Sequence, residues 1–501
     1  MSEKAFVTYR DFGAVGDGKT DDFAAIRAAH EYANEHGLPV VVSEGTYYIA
    51  SEKRPASAII RTDVDWTGAS FIIDDSRLTI EDKVSYRMQT FRIPHETEGI
   101  DLTEKGITSL KMDQQKLDYA PGVDCYVNAI DREHLNFRRK GLNYSNGSPQ
   151  TDCFLLHADG SVDPTTPIIW DFNHFTELKA YPLSEKTLTV KGGTFTHIAN
   201  QAESRYTYYT TGLIINRSNV VVDGMTHYVE GEGDHGAPYD GMIQVYYAAN
   251  VTIKNCLLTA HYIYVTIGAI GKPVSMGTYD IRCRSSVNVL FKDCRQTTDI
   301  MDRKYWGIFV SDYCKNLALD GCTFSRFDAH MGVTNVSIKN STLGWQCCNL
   351  IGHGLAKIED STLYGFGFVS LRGDYGATWK GDLVVKNCTW LPAFNKDNYA
   401  TFVNGYNECD FDYGFPCYMP QNIEIDGLFV DDRAAADAEN YRGVSLLHNM
   451  NPKNKDDSYV PEYPYYVTKN VKIRNFRSAS GRKWFLSYNT YMYRNVNIDE
   501  E

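Results

Sequence analysis

The chain has 501 residues, 43% hydrophobic and 23% charged, proportions ordinary for a globular protein and ample for one long continuous core. A formal net charge of -13 with no basic tail argues against general nucleic-acid binding, and no run approaches the ~20 apolar residues a membrane span requires. Twelve cysteines scattered over strand positions form no compact disulfide framework, so a reducing compartment is expected.

The opening MSEKAFVTYR lacks the apolar stretch of a secretory signal. DFGAVGDGKTDD, from Asp11, reads as a strand end and a Gly and Asp turn, with Thr20 placed to cap a helix whose first turn holds Asp21 and Asp22. Phe23, Ile26, Ala29 and Ala33 share one helical face. Gly37 and Pro39 stop the helix, and the apolar run after Pro39 supplies a strand. Such a helix can cover the open end of a stack of strands.

AIIRTDVDWTGASFIIDD, from Ala58, continues the strand pattern. Residues 76–167 then lose it, and this stretch, which carries the basic cluster Arg138, Arg139 and Lys140, is expected to be an irregular excursion. The cluster is either a solvated face or a contact for carboxylate or sulfate groups.

From residue 168 to about 480 one phrase returns. Its copies read SNVVVDGM from Ser218, ANVTIKNC from Ala249, VNVLFKDC from Val287, KNLALDGC from Lys315 and TNVSIKNS from Thr334, with later forms at Leu355, Leu383, Gln421 and Lys469. The apolar residues alternate, as in a strand with one buried face. Copies with variable gaps fit a parallel β-helix better than the uniform blades of a propeller. The recurring Asn tolerates left-handed backbone and can stack into a polar ladder. Cys256, Cys294, Cys322 and Cys388, with Ser341 and Ser361 in the same slot, read as an inward column of small residues. The expected fold is all-β: a right-handed parallel β-helix of single-strand repeats, with a capping helix and the first coils within 1–75 and a closing cap over 481–501.

DFGAVGDGKTDDFAAI, a helix, and a strand reading VVVSEGTYYI together resemble the amino-terminal signature of the pectate-lyase-like superfamily of right-handed parallel β-helices. That superfamily includes polygalacturonase-type glycosidases, polysaccharide lyases, epimerases and phage tailspike depolymerases. The resemblance implies a carbohydrate partner, and its tailspike members make a homotrimer and a virion-associated location compatible with this chain. Otherwise a cytoplasmic chain is expected, or a secreted one if a signal was trimmed. The fold specifies the reaction poorly.

Chemistry is expected where the register stacks polar groups. Glu230, His261 and Asp299 each lie eleven residues past a repeat Asn, and Asp328 lies twelve past. On adjacent coils Asp299 and Asp328 would stand roughly 5 Å apart, the spacing of retaining glycosidases, while Asp302 offers a longer, inverting spacing. His330 can shuttle or orient the proton. Glu232, Asp234, His235, Trp306, Arg372, Asp374, Tyr375 and Trp379 surround this ladder; the aromatics suit sugar rings and Arg a sugar carboxylate. IGHG at Ile351 resembles the GHG of polygalacturonase-type hydrolases, although the Asp and Arg–Lys segments that accompany it there do not stand in order around His353. Each such residue is also explicable as a turn, cap or core group. No compact metal motif occurs; calcium is compatible with stacked carboxylates and carbonyls.

The first expectation is a glycoside hydrolase, with Asp299 or Asp302 and Asp328 as the carboxylate pair. The alternatives are a polysaccharide lyase, disfavoured by the lack of a clear Arg and Lys ladder, and a noncatalytic glycan-binding fibre.

Overall fold

The computed structural model describes residues 5–50, 56–77, 89–200, 211–233, 241–407 and 409–501. The repeated phrase forms one face of a solenoid. Val220–Asp223, Ala249–Lys254, Val287–Lys292 and Lys315–Asp320 lie side by side in parallel, with Val222 opposite Ile253, Ile253 opposite Phe291 and Phe291 opposite Leu319. The face continues through Thr323–Lys339, Thr342–Glu359, Trp379–Pro392, Asn422–Val430 and Asn470–Arg474 to Asn497–Glu500. Two more parallel faces complete each coil. One runs through Leu213–Ile215, Ile243–Tyr246, Ile281–Arg284 and Phe309–Asp312, the other through Thr226–Glu230, Leu257–Leu258 and Arg295–Gln296. The chain is a parallel β-helix, as its periodicity predicts.

Alternation along each strand sends apolar residues into a continuous core, where identical types stack between coils: the Phe309 and Phe327 rings lie 5.0 Å apart at 11°, and those of Phe368 and Phe402 4.7 Å apart at 13°. Offset stacks of this kind add about 0.5–1.5 kcal/mol beyond burial. The corner Asn residues form the expected ladder. Asn219, Asn250, Asn288, Asn316 and Asn335 all adopt left-handed φ between 55° and 59°. The amide of each donates to the side-chain oxygen of the one before it, at 3.0, 3.0, 2.8 and 3.1 Å. All twelve cysteines are free and buried, and Ser341 and Ser361 continue their column by accepting the backbone N–H of Cys322 and Ser341 at 3.1 Å each.

The helix spans Phe23–His36, with Phe23, Ile26, Ala29 and Ala33 buried on the first coil and Gly37 ending it at φ 65°. Its N-cap is Asp22, not Thr20. Thr20 instead binds Asp17 within a short strand, while the Asp22 carboxylate accepts the N–H groups of Val15 and Gly16 at 2.7 and 3.0 Å, holding the preceding glycine turn.

The excursion is an ordered antiparallel sheet of Ile100–Asp101, Glu177–Pro182, Cys125–Asn136 and Ser148–Leu156 around its own core of Leu102, Leu110, Phe154 and Phe172, and it runs past residue 167, where coils were expected to begin. Phe91–Ile93, inside the stretch expected to be irregular, is still a coil strand. The insert docks on the helix side through a buried Lys315–Asp152 ion pair at 2.7 Å. At the other end, Asn497–Glu500 adds a final coil strand within the expected cap, and Arg433–Ala435 form a 3-10 turn.

Candidate functional site

The alternation that buries Ile281 and Cys283 turns Arg282 outward, and the next coils present Asp312, Arg326 and His330 beside it on the same outer face. These groups wall a cleft of about 380 Å³, completed by Tyr279, Gln346, Asn349 and Arg372, by Trp306 of Tyr305–Gly307, which pairs with His261–Tyr262 off the coil, by Arg139 and Asn143 from the insert, and by residues 275–278 at the end of a hairpin. Tyr264–Ile267 and Pro273–Met276 are the arms of that hairpin.

His330 Nδ1 lies 2.9 Å from Asp312 Oδ1, and its Nε2 3.4 Å from Tyr375 Oη. With Nδ1 donating to the carboxylate, Nε2 is left as the proton-accepting nitrogen. Burial would raise the Asp312 pKa, but the His330 hydrogen bond and the charges of Arg282 and Arg284 hold it well below the usual carboxylate range. Asp312 also takes Arg282 at 3.3 Å.

Arg326 lies over the Trp306 ring at 4.7 Å, donates to Gln346 at 2.6 Å and pairs with buried Asp328. Asp328 also accepts from Tyr279 Oη at 3.1 Å. Its desolvation is outweighed by the charges of Arg326 and Arg372 and the Tyr279 hydrogen bond, which lower its pKa. Arg372 makes a two-pronged pair with Asp374 at 3.0 and 3.0 Å, and Arg139 reaches the same carboxylate at 2.6 Å from the insert. Desolvation notwithstanding, these two guanidinium groups lower Asp374 to about 2. Burial disfavours charge on Arg372, yet Asp374 and Asp328 more than compensate and raise its pKa. Four arginines and one carboxylate, Asp312, line the cleft; with Asp328 and Asp374 behind the wall, four guanidinium groups meet three carboxylates, an excess of one positive charge that favours an anion.

Of the residues expected from the sequence, Asp328, His330, Trp306, Arg372, Asp374 and Tyr375 are gathered here. Asp328 and Asp374 lie behind the wall and orient its arginines. Asp299 and Asp302 line no part of the cleft: they sit in one turn, accepting the N–H groups of Met301 and Lys304 at 2.9 and 3.0 Å. The expected ladder breaks because the third-face strands end at Leu258 and Gln296, after which the chain leaves the coil, whereas Thr323–Lys339 turns the corner unbroken. Trp379 is buried inside the coil, its indole N–H donating to Gly354 O at 3.1 Å, so its ring faces the core and not the cleft. His353 stands edge-on to Trp170, 5.3 Å away, beneath the insert; desolvation and the charges of Lys380 and Lys315 depress its pKa to about 3. Glu230 is exposed at a strand end. Asp234 and His235 lie outside the described residues.

Glu232 and His261 belong to a separate buried chain. His197 Nδ1 meets His227 Nε2 at 2.7 Å, and His227 Nδ1 meets Asp280 at 2.8 Å. Asp280 and Glu232 flank His261 at 3.2 and 3.4 Å. Desolvation would lower His261, but hydrogen bonds and charges from Asp280 and Glu232 raise it to about 10. It is an imidazolium locked between two carboxylates. Among the described residues no group of three or more His, Cys, Asp or Glu is arranged to hold a metal ion.

Sequence reasoning missed Asp312, Arg282, Arg326 and Tyr279. Asp312 follows Phe309, Val310 and Ser311 at a strand end without a motif; only pairing with the next coil brings it to His330. Arg139 was visible only as part of a basic cluster, whose members are ion-paired to Asp412, Asp374 and Asp410.

The family described as rhamnogalacturonase A/epimerase, pectate lyase-like, matches residues 6–117. No curated protein matches the sequence. Among solved structures, the Pseudomonas phage phi297 tailspike gp61 is similar with a TM-score of 0.57 at 13% identity, over 99% of this chain and 84% of that one. The tailspike gp49 from Pseudomonas phage LKA1 is similar with a TM-score of 0.50 at 12% identity, over 94% and 81%. At such identities the likeness is one of fold. The match over residues 6–117 and the coil architecture shared with these tailspikes make the chain similar to pectate-lyase-like parallel β-helices in fold.

Proposed function

We propose that this protein is a carbohydrate-active enzyme that cleaves an acidic saccharide in the arginine-walled cleft, by β-elimination at a uronate. The observation that carries this reading is the His330–Asp312 hydrogen bond, 2.9 Å long, in a wall otherwise dominated by guanidinium groups. Elimination needs a base for the proton next to the sugar carboxylate and cations that stabilise the charge developing there. His330 Nε2 supplies the base, and Arg282, Arg326 and Arg372 supply the cations. The C–H bond gives up its proton to Nε2 as a C=C bond forms and the glycosidic C–O bond breaks. The leaving oxygen takes a proton from water. Trp306 and Tyr279 offer apolar faces to the sugar ring.

Glycoside hydrolysis, the first expectation from the sequence, ordinarily uses two carboxyl groups facing the substrate. The cleft wall holds Asp312 alone, kept ionised by its neighbours. The arginines whose lack in the sequence disfavoured a lyase come together only across coils. The test is incubation with linear uronic-acid glycans, following both new reducing ends and the ultraviolet absorbance of unsaturated uronides. Absorbance growing with reducing ends is expected. Reducing ends without absorbance would replace elimination with hydrolysis, and binding without either would make the protein a noncatalytic glycan binder.

A further inference from the structure

The arginines that line the cleft are not equally neutralised. Arg282 has Asp312 at 3.3 Å, and Arg326 has the buried Asp328. Arg372 and Arg139 share a single carboxylate: Arg372 Nε and Nη2 donate to the two oxygens of Asp374 at 3.0 Å each, and Arg139 Nε and Nη2 both reach Oδ2, at 3.1 and 2.6 Å. One carboxylate cannot balance two guanidinium groups, so among the lining residues the unbalanced positive charge sits at this pair. An arginine carries five N–H donors in a fixed fork. With Nε and Nη2 directed at Asp374, Nη1 of neither residue donates to a described residue. Both side chains line the cleft and keep 17% and 22% of their surface exposed. Arg138 and Lys140, which flank Arg139 in the sequence, pair with Asp412 and Asp410 and line no part of the cleft.

The pair is assembled from two distant parts of the chain. Arg372 precedes the 3-10 turn Gly373–Tyr375, which supplies Asp374. The Tyr375 ring of that turn is within cation–π reach of both guanidinium groups, 4.8 Å from Arg139 and 5.6 Å from Arg372. Arg139 comes from the insert, where the Lys140 N–H donates to the Asp374 carbonyl oxygen at 2.9 Å. We infer that Arg139 is the residue that selects an acidic sugar. With Arg372 it forms a seat for the saccharide carboxylate, whose oxygens take the N–H groups that Asp374 leaves unused. The inference rests on the glycan reading above and names the contact that makes the substrate an acidic one. It also gives the insert a part in function: the coils carry Arg282, Arg326 and Arg372 with a carboxylate for each, and the fourth guanidinium, which tips the balance, arrives only with the insert.

The test measures, by calorimetry on the intact protein, the affinity for a panel of linear uronic-acid glycans and for the same glycans with their carboxyl groups reduced to alcohols. The wild type is expected to prefer an acidic form. Arg139→Gln is expected to weaken binding of that form about tenfold or more, the effect of losing a charge-assisted hydrogen bond, and to leave the reduced form unchanged. Arg138→Gln, one residue away but outside the cleft, should change neither. Asp374→Asn separates recognition from anchoring. It breaks the same bridge from the other side, yet it removes the carboxylate that competes with the ligand, so the acidic glycan should bind as tightly as to the wild type or more tightly. Equal weakening by Arg139→Gln and Asp374→Asn would overturn the inference by showing that the bridge only holds the insert in place. An Arg139→Gln variant, folded by circular dichroism, that keeps wild-type affinity for the acidic form would overturn it too, as would a wild type that binds both forms alike; each of these leaves the carbohydrate reading intact. Failure of the wild type to bind any glycan of the panel would overturn the carbohydrate reading and this inference with it.

Discussion

Asp312 and His330, eighteen residues apart and on successive coils, are joined by a 2.9 Å hydrogen bond from Nδ1 to Oδ1. One coil of the solenoid brings a carboxylate at a strand end beneath the imidazole of the next strand. With Nδ1 donating in that bond, Nε2 is the ring nitrogen left to accept a proton.

Asp312→Asn is therefore expected to lower kcat on acidic glycans by about 100-fold or more, the usual worth of an oriented acid-base group, with substrate binding largely kept. Steady-state kinetics alongside calorimetric titration separates the two effects. A variant with unchanged kcat would remove His330–Asp312 from the chemistry.

Arg326 and Asp328 form a buried pair with side-chain exposures of 4% and 0%. Removing one partner strands the other: Arg326→Met is expected to cost about 3–5 kcal/mol in urea unfolding, and the double variant Arg326→Met with Asp328→Asn to recover much of it. Additive losses would show that the pair is not coupled.

Trp306 and Trp379 should separate function from packing. Trp379→Ala empties a core site and should cost about 3–5 kcal/mol; glycan affinity in the folded fraction should not change. Trp306→Ala should weaken glycan binding more than it lowers Tm. Thermal melts with and without glycan read both quantities.

Stability should have limbs in pH set by three histidines. His261, raised to about 10 from an ordinary 6.5, contributes stability that is complete below pH 6.5 and is lost as pH rises to about 10. His30, lowered by burial to about 3, and His353, lowered likewise by desolvation, act oppositely. The unfolded chain binds their protons first as pH falls, so their contribution is complete above pH 6.5 and lost toward pH 3. His261→Gln should lower Tm near neutrality and flatten the alkaline limb. An unaltered alkaline limb would contradict the locked imidazolium.

The Asn ladder gives a test of backbone as well as side chain. Asn316, at φ 55°, donates to Asn288 and accepts from Asn335 at 2.8 and 3.1 Å. Asn316→Ala loses two bonds worth about 1 kcal/mol each and adds left-handed strain of about 1–2 kcal/mol; Asn316→Gly loses only the bonds. Chemical denaturation should rank wild type above Gly and Gly above Ala.

The coil strands, the Asn corners, the cysteine column and the helix over the first coil were legible because each follows from short-range periodicity: alternation marks the buried face, and Asn recurs where the backbone turns left-handed. The helix cap was misplaced by two residues, since Asp22 serves the glycine turn before it. Counting from the repeat Asn failed beyond Leu258 and Gln296 because loops of unequal length leave the coil there, and register carries no information across a loop.

By itself, then, the sequence determined the solenoid and the side of each strand that faces its core. Tertiary structure alone decided the cleft. Asp312 and His330 meet because coils stack, and Arg139 reaches Asp374 across 235 positions because the insert folds as a separate sheet and docks back on the coils. The strand pattern is written in neighbouring residues, which interact in any extended chain. The constellation of charges depends on where distant segments come to rest, and that is settled by packing of the whole chain.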